Sequence, residues 1–165
     1  MEKIQLDIYT DGSHRRSEKR LQIGAYCLHN NIEAKLSKII TSEVLKSYGI
    51  TETECSNLTA EYIAFAEILK LMSKIEFKNE ITLRFYVDYI GVIAWTNGEW
   101  KAKKSYIIKI RDYCLELIRK LTLQHCNVII NKVKGHSGVK GNEMADELAG
   151  NNMEINTFDE LLKGL

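Results

Sequence analysis

Hydrophobic and polar positions alternate at the start of the chain, with Ile4, Leu6 and Ile8 on one side and Gln5, Asp7 and Tyr9 on the other. A period of two is that of a half-buried strand and predicts one over residues 4–10. Asp11-Gly12-Ser13 follows with turn chemistry and is expected to end it. Strand formers return over residues 23–29 and 32–41, separated by Asn30-Asn31, a two-residue turn that tolerates positive φ. Three consecutive strands predict an antiparallel meander. Residues 42–56 are largely polar, contain Gly49, and form a connection long enough to be an insertion or an ordered surface loop.

From residue 57 to 75 the apolar period becomes helical, carried by Leu58, Phe65, Leu69 and Met72, with Ser56 or Asn57 placed to cap the start. Residues 81–87 predict a fourth strand, and residues 89–97 a short helix ended by Asn97-Gly98. Residues 104–122 predict a long amphipathic helix that buries Ile107, Ile110, Cys114, Leu117, Ile118 and Leu121. A fifth strand is expected at 127–133 and a helix at 142–149, with Gly150 as its stop. Residues 157–162 have room for one or two last helical turns. The order β-β-β-α-β-α-α-β-α implies an α/β fold, a mixed sheet with helices packed on it.

A chain of 165 residues without internal repeats or linkers is expected to be one domain, 1–165. No apolar run approaches the ~20 residues that span a bilayer. The start, MEKIQLDIYT, lacks a basic region followed by an apolar stretch. Cys27, Cys55, Cys114 and Cys126 have neither the spacing of a zinc site nor that of a redox pair. They are expected to be free thiols, and the chain to be cytoplasmic. A net charge of +1 is far below that of a DNA-coating protein, so any polyanion must meet local patches or metal ions. Candidate patches are Arg15, Arg16, Lys19 and Arg20; Lys101, Lys103 and Lys104; and Lys132, Lys134 and Lys140, each of which could equally be solvated surface.

Four carboxylates stand where folding does not require them. Asp11 closes the first strand, Glu61 shares a helix face with Leu58 and Phe65, Asp88 directly follows the fourth strand, and Asp146 lies in the helix after a glycine-rich stretch. Singly, Asp11 could be a turn residue, Asp88 a helix cap and Asp146 an exposed helix position. Glu61 is harder to dismiss, because burying an unpaired carboxylate costs on the order of several kcal/mol. Strand ends and helix starts could gather the four on one side of a sheet. Carboxylates without histidine or thiolate partners suit Mg²⁺ or Mn²⁺. Two such ions ~3.5–4 Å apart are the arrangement for phosphodiester cleavage.

The segments YTDGS (9–13), AE (60–61), VD (87–88) and KGHSGVKGNEMADELA (134–149) together resemble type 1 ribonuclease H, in an order that spans nearly the whole chain. The resemblance implies a ribonuclease H-like fold, a five-stranded mixed sheet with helices on both faces. It implies an endonuclease that cuts the RNA strand of RNA–DNA hybrids with two Mg²⁺ ions (Mn²⁺ substituting), leaving 5′-phosphate and 3′-hydroxyl ends. Asp11, Glu61, Asp88 and Asp146 match the metal-binding acids, and His136 the loop histidine that assists proton transfer or product release. Gly12, Ser13, Ser56, Asn57, Lys101, Lys103 and Lys104 are the expected substrate contacts, and a monomer is the expected state.

Three departures from the family pattern matter: Leu58 and the short protrusion lower the expected affinity, and Tyr89 bears on the hydrogen bonding around Asp88. Tyr89 follows Asp88 where serine is usual, Leu58 replaces a polar minor-groove residue, and the basic protrusion at 95–106 is short. No hybrid-binding domain is expected before the first strand. Two alternatives differ in class or context: a catalytically inactive binding module with the same fold, and a domain detached from a reverse transcriptase. The complete set of acids argues against the first, since a binding module need not keep repelling carboxylates.

Overall fold

The computed structural model describes residues 1–134 and 138–165. Six strands form one mixed sheet: β1 (Lys3–Arg15), β2 (Arg20–His29), β3 (Ile32–Ile40), β4 (Glu80–Val87), β5 (Cys126–Lys132) and β6 (Ile155–Asn156). Their spatial order is β5-β4-β1-β2-β3-β6. The first three make the expected meander, and Asn30 and Asn31 turn it with φ of 51° and 62°. β4 pairs parallel with β1, and β5 parallel with β4. The helices are α1 (Ser42–Ser47), α2 (Asn57–Ser73), α3 (Ile90–Thr96), α4 (Ser105–Leu123), α5 (Lys140–Gly150) and α6 (Phe158–Leu162). None of them is long and apolar enough to cross a membrane.

Alternation along the strands sorts the layers. Even-numbered β1 residues and odd-numbered β2 residues, such as Leu6, Ile8, Ile23 and Cys27, face α2 and the main core. The other set faces α5, which covers β1 to β3 on the opposite side. Helices therefore lie on both faces, as expected. α2 is buried on nearly every side from Thr59 to Leu69, the mark of a central helix, whereas α4 buries one stripe. Phe65 of α2 meets Phe85 of β4 edge-on, with ring centroids 4.9 Å apart.

Several expectations are corrected. β6 makes the sheet six-stranded, not five; its two residues, paired with Leu36 and Ser37, are too few to show an alternating pattern. Asp11-Gly12-Ser13 is not a turn, because the ladder with β2 continues to Arg15↔Arg20. Gly12 instead lets α2 come close: a Cβ there would stand 2.2 Å from the Ala60 backbone. The connection at 42–56 is largely ordered as α1 and a short 3₁₀ turn, Glu52–Glu54. α5 begins two residues earlier than expected and includes Gly150, so its cap is Asn151. Ser56 caps α2 as expected, its Oγ accepting from Thr59 N at 3.2 Å. All four cysteines are free and buried.

The seat of α5 depends on a second close approach. A Cβ on Gly24 would meet the Ala145 carbonyl oxygen at 2.3 Å and Ala149 N at 2.5 Å. The last carbonyls of α5 accept hydrogen bonds from the sheet: Leu148 O from Gln22 and Ser37, Ala149 O from Ser13, and Gly150 O from Arg15. Gly24→Ala should therefore lower unfolding stability in urea by about 1–3 kcal/mol, the usual range for overpacking. An unchanged urea midpoint would show that α5 can shift without loss.

Candidate active site

Strand register assembles the first two acids. β1 and β4 run parallel with Tyr9 opposite Tyr86. Carried two residues further, that register sets Asp11 beside Asp88, on one face and at the same level. β4 ends at Val87, so among the described residues no strand flanks β1 beyond it on that side, and Glu61 joins from the first half of α2. Carboxylate oxygens of Asp11, Glu61 and Asp88 lie within 4.8 Å of one another. Asp11 is oriented by its neighbour: Gly12 N–H donates to Asp11 Oδ1 at 2.9 Å.

The cluster is largely desolvated, and among the described residues no salt bridge offsets its charge. Asp11 and Glu61 are each only 6% exposed. Glu61 Oε2 is buried with no hydrogen-bond partner among the described residues. The salt bridges there leave all four acids out. Burial is the largest influence on Asp11 and raises its pKa; Asp146 and Asp88 raise it further, against a lowering hydrogen bond with Glu61. Burial likewise raises Glu61, followed by the neighbouring Asp11 and Asp88 carboxylates. An orphaned carboxylate oxygen among all-oxygen donors fits a hard divalent cation, the one partner that would satisfy every group at once.

Asp146 differs from the other three. It is exposed on α5 and stands outside the tight cluster, yet close enough to act on Asp11 by hydrogen bonding and charge. Glu143 and Glu147 on the same helix are exposed and have no part in the cluster. Glu61 shares its helix face with a buried Phe65, but Leu58 is 45% exposed at the helix start. Asp88 does not cap α3; Tyr89 occupies that position. His136 lies outside the described residues.

The remaining expected positions divide by location. Gly12 and Ser13 are engaged with the protein itself, against Ala60 and Ala149 respectively. Asn57 is exposed, and its Oδ1 accepts from His14 N at 2.9 Å. Lys101, Lys103 and Lys104 line a groove of about 300 Å³ with Ser56, Leu58 and Tyr89. Its wall is aromatic: Trp95 stacks on Tyr62 and meets Tyr89 and Trp100 edge-on. Arg16 and Lys19 line a second cavity, near His14 and Cys55, whereas Arg15 and Arg20 are drawn to Glu18. The sequence reading missed His14, whose side chain reaches that cavity because β1 does not turn at Gly12.

Raised carboxyl pKa values make a prediction about the metal-free protein. A carboxyl whose pKa is higher folded than unfolded favours the fold below the ordinary carboxylate range, and that contribution is lost as pH rises through the folded value. Metal-free protein should therefore lose stability from about pH 4 towards neutrality at this site. Asp11→Asn keeps the acceptor for Gly12 N–H and removes the charge. It should raise the metal-free melting temperature at neutral pH, by on the order of 1–3 kcal/mol of stability. Added Mg²⁺ should stabilise the wild type more than this variant; equal metal-free melting curves would remove the repulsion argument.

Comparison with known proteins agrees with this geometry. A family model described as RNase H matches residues 3–154. Ribonuclease H of Francisella philomiragia is 31% identical over 148 residues, covering 86% of each chain. Ribonuclease H of Francisella tularensis subsp. novicida is 31% identical over 154 residues, 89% of this chain and 90% of that one. Among solved structures, RNase H1 from the halophilic archaeon Halobacterium salinarum superposes with a TM-score of 0.61 at 21% identity, covering 87% of this chain and 93% of that one. An N-terminal RNase H domain from Mycobacterium tuberculosis gives 0.61 at 18% identity, covering 91% and 99%. These two likenesses speak for the fold, while the family model and the Francisella relatives carry the kinship. The chain belongs to the ribonuclease H family.

Proposed function

We propose that the chain is an endonuclease that hydrolyses the RNA strand of RNA–DNA hybrids at the carboxylate cluster, leaving 5′-phosphate and 3′-hydroxyl ends. The observation that carries this reading is the gathering of Glu61, one of whose carboxylate oxygens is buried without a partner among the described residues, with Asp11 and Asp88 in a member of this family. Asp11, Glu61 and Asp88 would hold divalent cations, Mg²⁺ first and Mn²⁺ as a substitute, with Asp146 completing the set from α5. Bound there, the cations supply Lewis acidity and lower the pKa of water.

The protein's own groups do the remaining work. Gly12 N–H holds Asp11 Oδ1 and so fixes the orientation of that carboxylate. The desolvated site strengthens every charge interaction made within it. Ser56, Lys101, Lys103 and Lys104 along the groove and Asn57 at the start of α2 would hold the phosphate backbone, together with Arg16 and Lys19 of the second cavity. Such contacts make binding fall steeply with salt. Exposed Leu58 offers no hydrogen bond to a minor groove, which lowers affinity without touching the acids. All four acids come from one chain, so a monomer carries the whole set. His136 would assist proton transfer or product departure.

The decisive measurement is cleavage of an end-labelled RNA–DNA hybrid with Mg²⁺ or Mn²⁺. Cleavage of the RNA strand alone is expected, ending when the metal is chelated. Asp11→Asn should reduce the rate by at least about 100-fold while the protein remains folded. Intact hybrid with either metal would sink the nuclease reading, and full activity in Asp11→Asn would sink the carboxylate assignment. His136→Ala should slow cleavage by about 100-fold or more without abolishing it. An unchanged rate in that variant would take His136 out of the reaction.

A further inference from the structure

Three lysines from three helices converge on a cavity that the carboxylate site does not use. Lys46 lies in the last turn of α1, Lys70 in the last turn of α2, and Lys109 near the start of α4. With Tyr48, Gly49 and Tyr113 they line a space of about 540 Å³. The floor is fixed. Tyr48 Oη donates to the buried Glu67 Oε2 at 2.7 Å, and its ring meets Tyr113 edge-on at 5.4 Å. Gly49 adopts φ of 68°, and a Cβ there would stand 2.5 Å from Lys109 Nζ, so this ammonium sits directly over bare backbone.

Two of the acids nearby are already engaged. Glu67 accepts from Lys38 Nζ at 2.9 Å as well as from Tyr48. Glu54 lies close enough to feel the charge of Lys109, but its carboxylate is held by the N–H and hydroxyl of Thr51. Among the described residues no salt bridge engages Lys46, Lys70 or Lys109. Favourable placement at a helix C-terminus accounts for Lys46 and Lys70 singly. It gives no reason for Lys109, which stands near the opposite end of its helix. Three cations around one cavity repel each other unless an anion sits between them.

We propose that this pocket binds a phosphate group, and that it is a second anion site separate from the cleavage centre. Lysine meets phosphate as a point charge and needs no fixed fork geometry. Two sources share this chemistry: the backbone of a nucleic acid already bound at the cleavage centre, or a small phosphorylated molecule. The backbone source depends on the substrate proposed above; affinity for phosphate does not.

The test is an NMR titration of isotope-labelled protein in chelator at constant ionic strength. The probes are inorganic phosphate, adenosine monophosphate and an RNA–DNA hybrid, with potassium chloride as control. A saturable shift of the Gly49 amide with inorganic phosphate is expected, and its disappearance in a K46Q/K70Q/K109Q variant that melts like the wild type. K109Q alone should weaken the shift several-fold and serves if the triple variant does not fold. A Gly49 shift with hybrid, together with a salt slope of hybrid binding reduced by about 1 for each phosphate that the variant no longer touches, assigns the backbone. A shift with the mononucleotide and none with hybrid assigns a small phosphorylated molecule. No saturable shift with any probe, or an equal shift with chloride, overturns the pocket. No cleavage is required, so failure of the nuclease reading registers separately.

Discussion

Two close approaches of backbone to backbone set the spacing of the acids. Gly12 and Gly24 sit on adjacent strands and project to opposite faces of the sheet, and Asp11 lies between them, next to Gly12 in the chain and across the ladder from Gly24. On one face α2 presses its Ala60–Glu61 backbone against Gly12; on the other α5 presses Ala145 to Ala149 against Gly24. A packed interior transmits displacements rather than absorbing them. A side chain at Gly12 would therefore push Glu61 from Asp11, and one at Gly24 would push α5 and Asp146. The hydrogen bonds from Gln22, Ser37, Ser13 and Arg15 to the end of α5 hold its direction once the glycines have set its distance.

That geometry holds like charges together, so the surrounding structure must tolerate the repulsion. Burying the Glu61 carboxylate costs on the order of several kcal/mol. The same helix fully buries Tyr62, Ile63, Phe65, Ile68, Leu69 and Met72, each worth about 1.5–3 kcal/mol. Their gross contribution exceeds the penalty several-fold, which lets one position in the centre of α2 be given to chemistry. An apolar side chain at 61 would make a better core. The carboxylate is therefore explained by what it can hold and not by what it stabilises.

Much of this was legible in the sequence, and the gaps have physical causes. Alternation over residues 4–10 and helical periodicity over 57–75 and 104–122 reported burial directly, so those elements are found where the pattern set them. Asp11-Gly12-Ser13 misled because the same residues serve a turn or a strand pressed against a helix, and only the partner decides. β6 was too short for any period to register. At the site, Asp11, Glu61 and Asp88 could be named because two stand at the close of strand-like patterns and one is an acid in an apolar helix. The difference between the buried Glu61 and the exposed Asp146 could not, since it depends on which side of α5 meets β2. Lys46, Lys70 and Lys109 share no local pattern at all; their meeting depends on the packing of α1, α2 and α4.

A net charge of +1 hides an uneven distribution. Three carboxylates occupy the centre, and a bare phosphodiester placed there would meet repulsion from every side. Cations stand away from that centre, with Lys101, Lys103 and Lys104 along the groove and Arg16 and Lys19 beside the neighbouring cavity. The two charge sets act over different ranges. At physiological salt a charge is felt over about 8 Å, so on the proposed reading the flanking lysines and arginines would draw in backbone phosphates that touch them. The acids would then act on the single phosphate delivered between them. Attraction at the flanks and repulsion at the centre together would make affinity for a polyanion compatible with a site that holds the phosphodiester productively only when cations neutralise it. A uniformly basic surface would bind more tightly and lose that dependence.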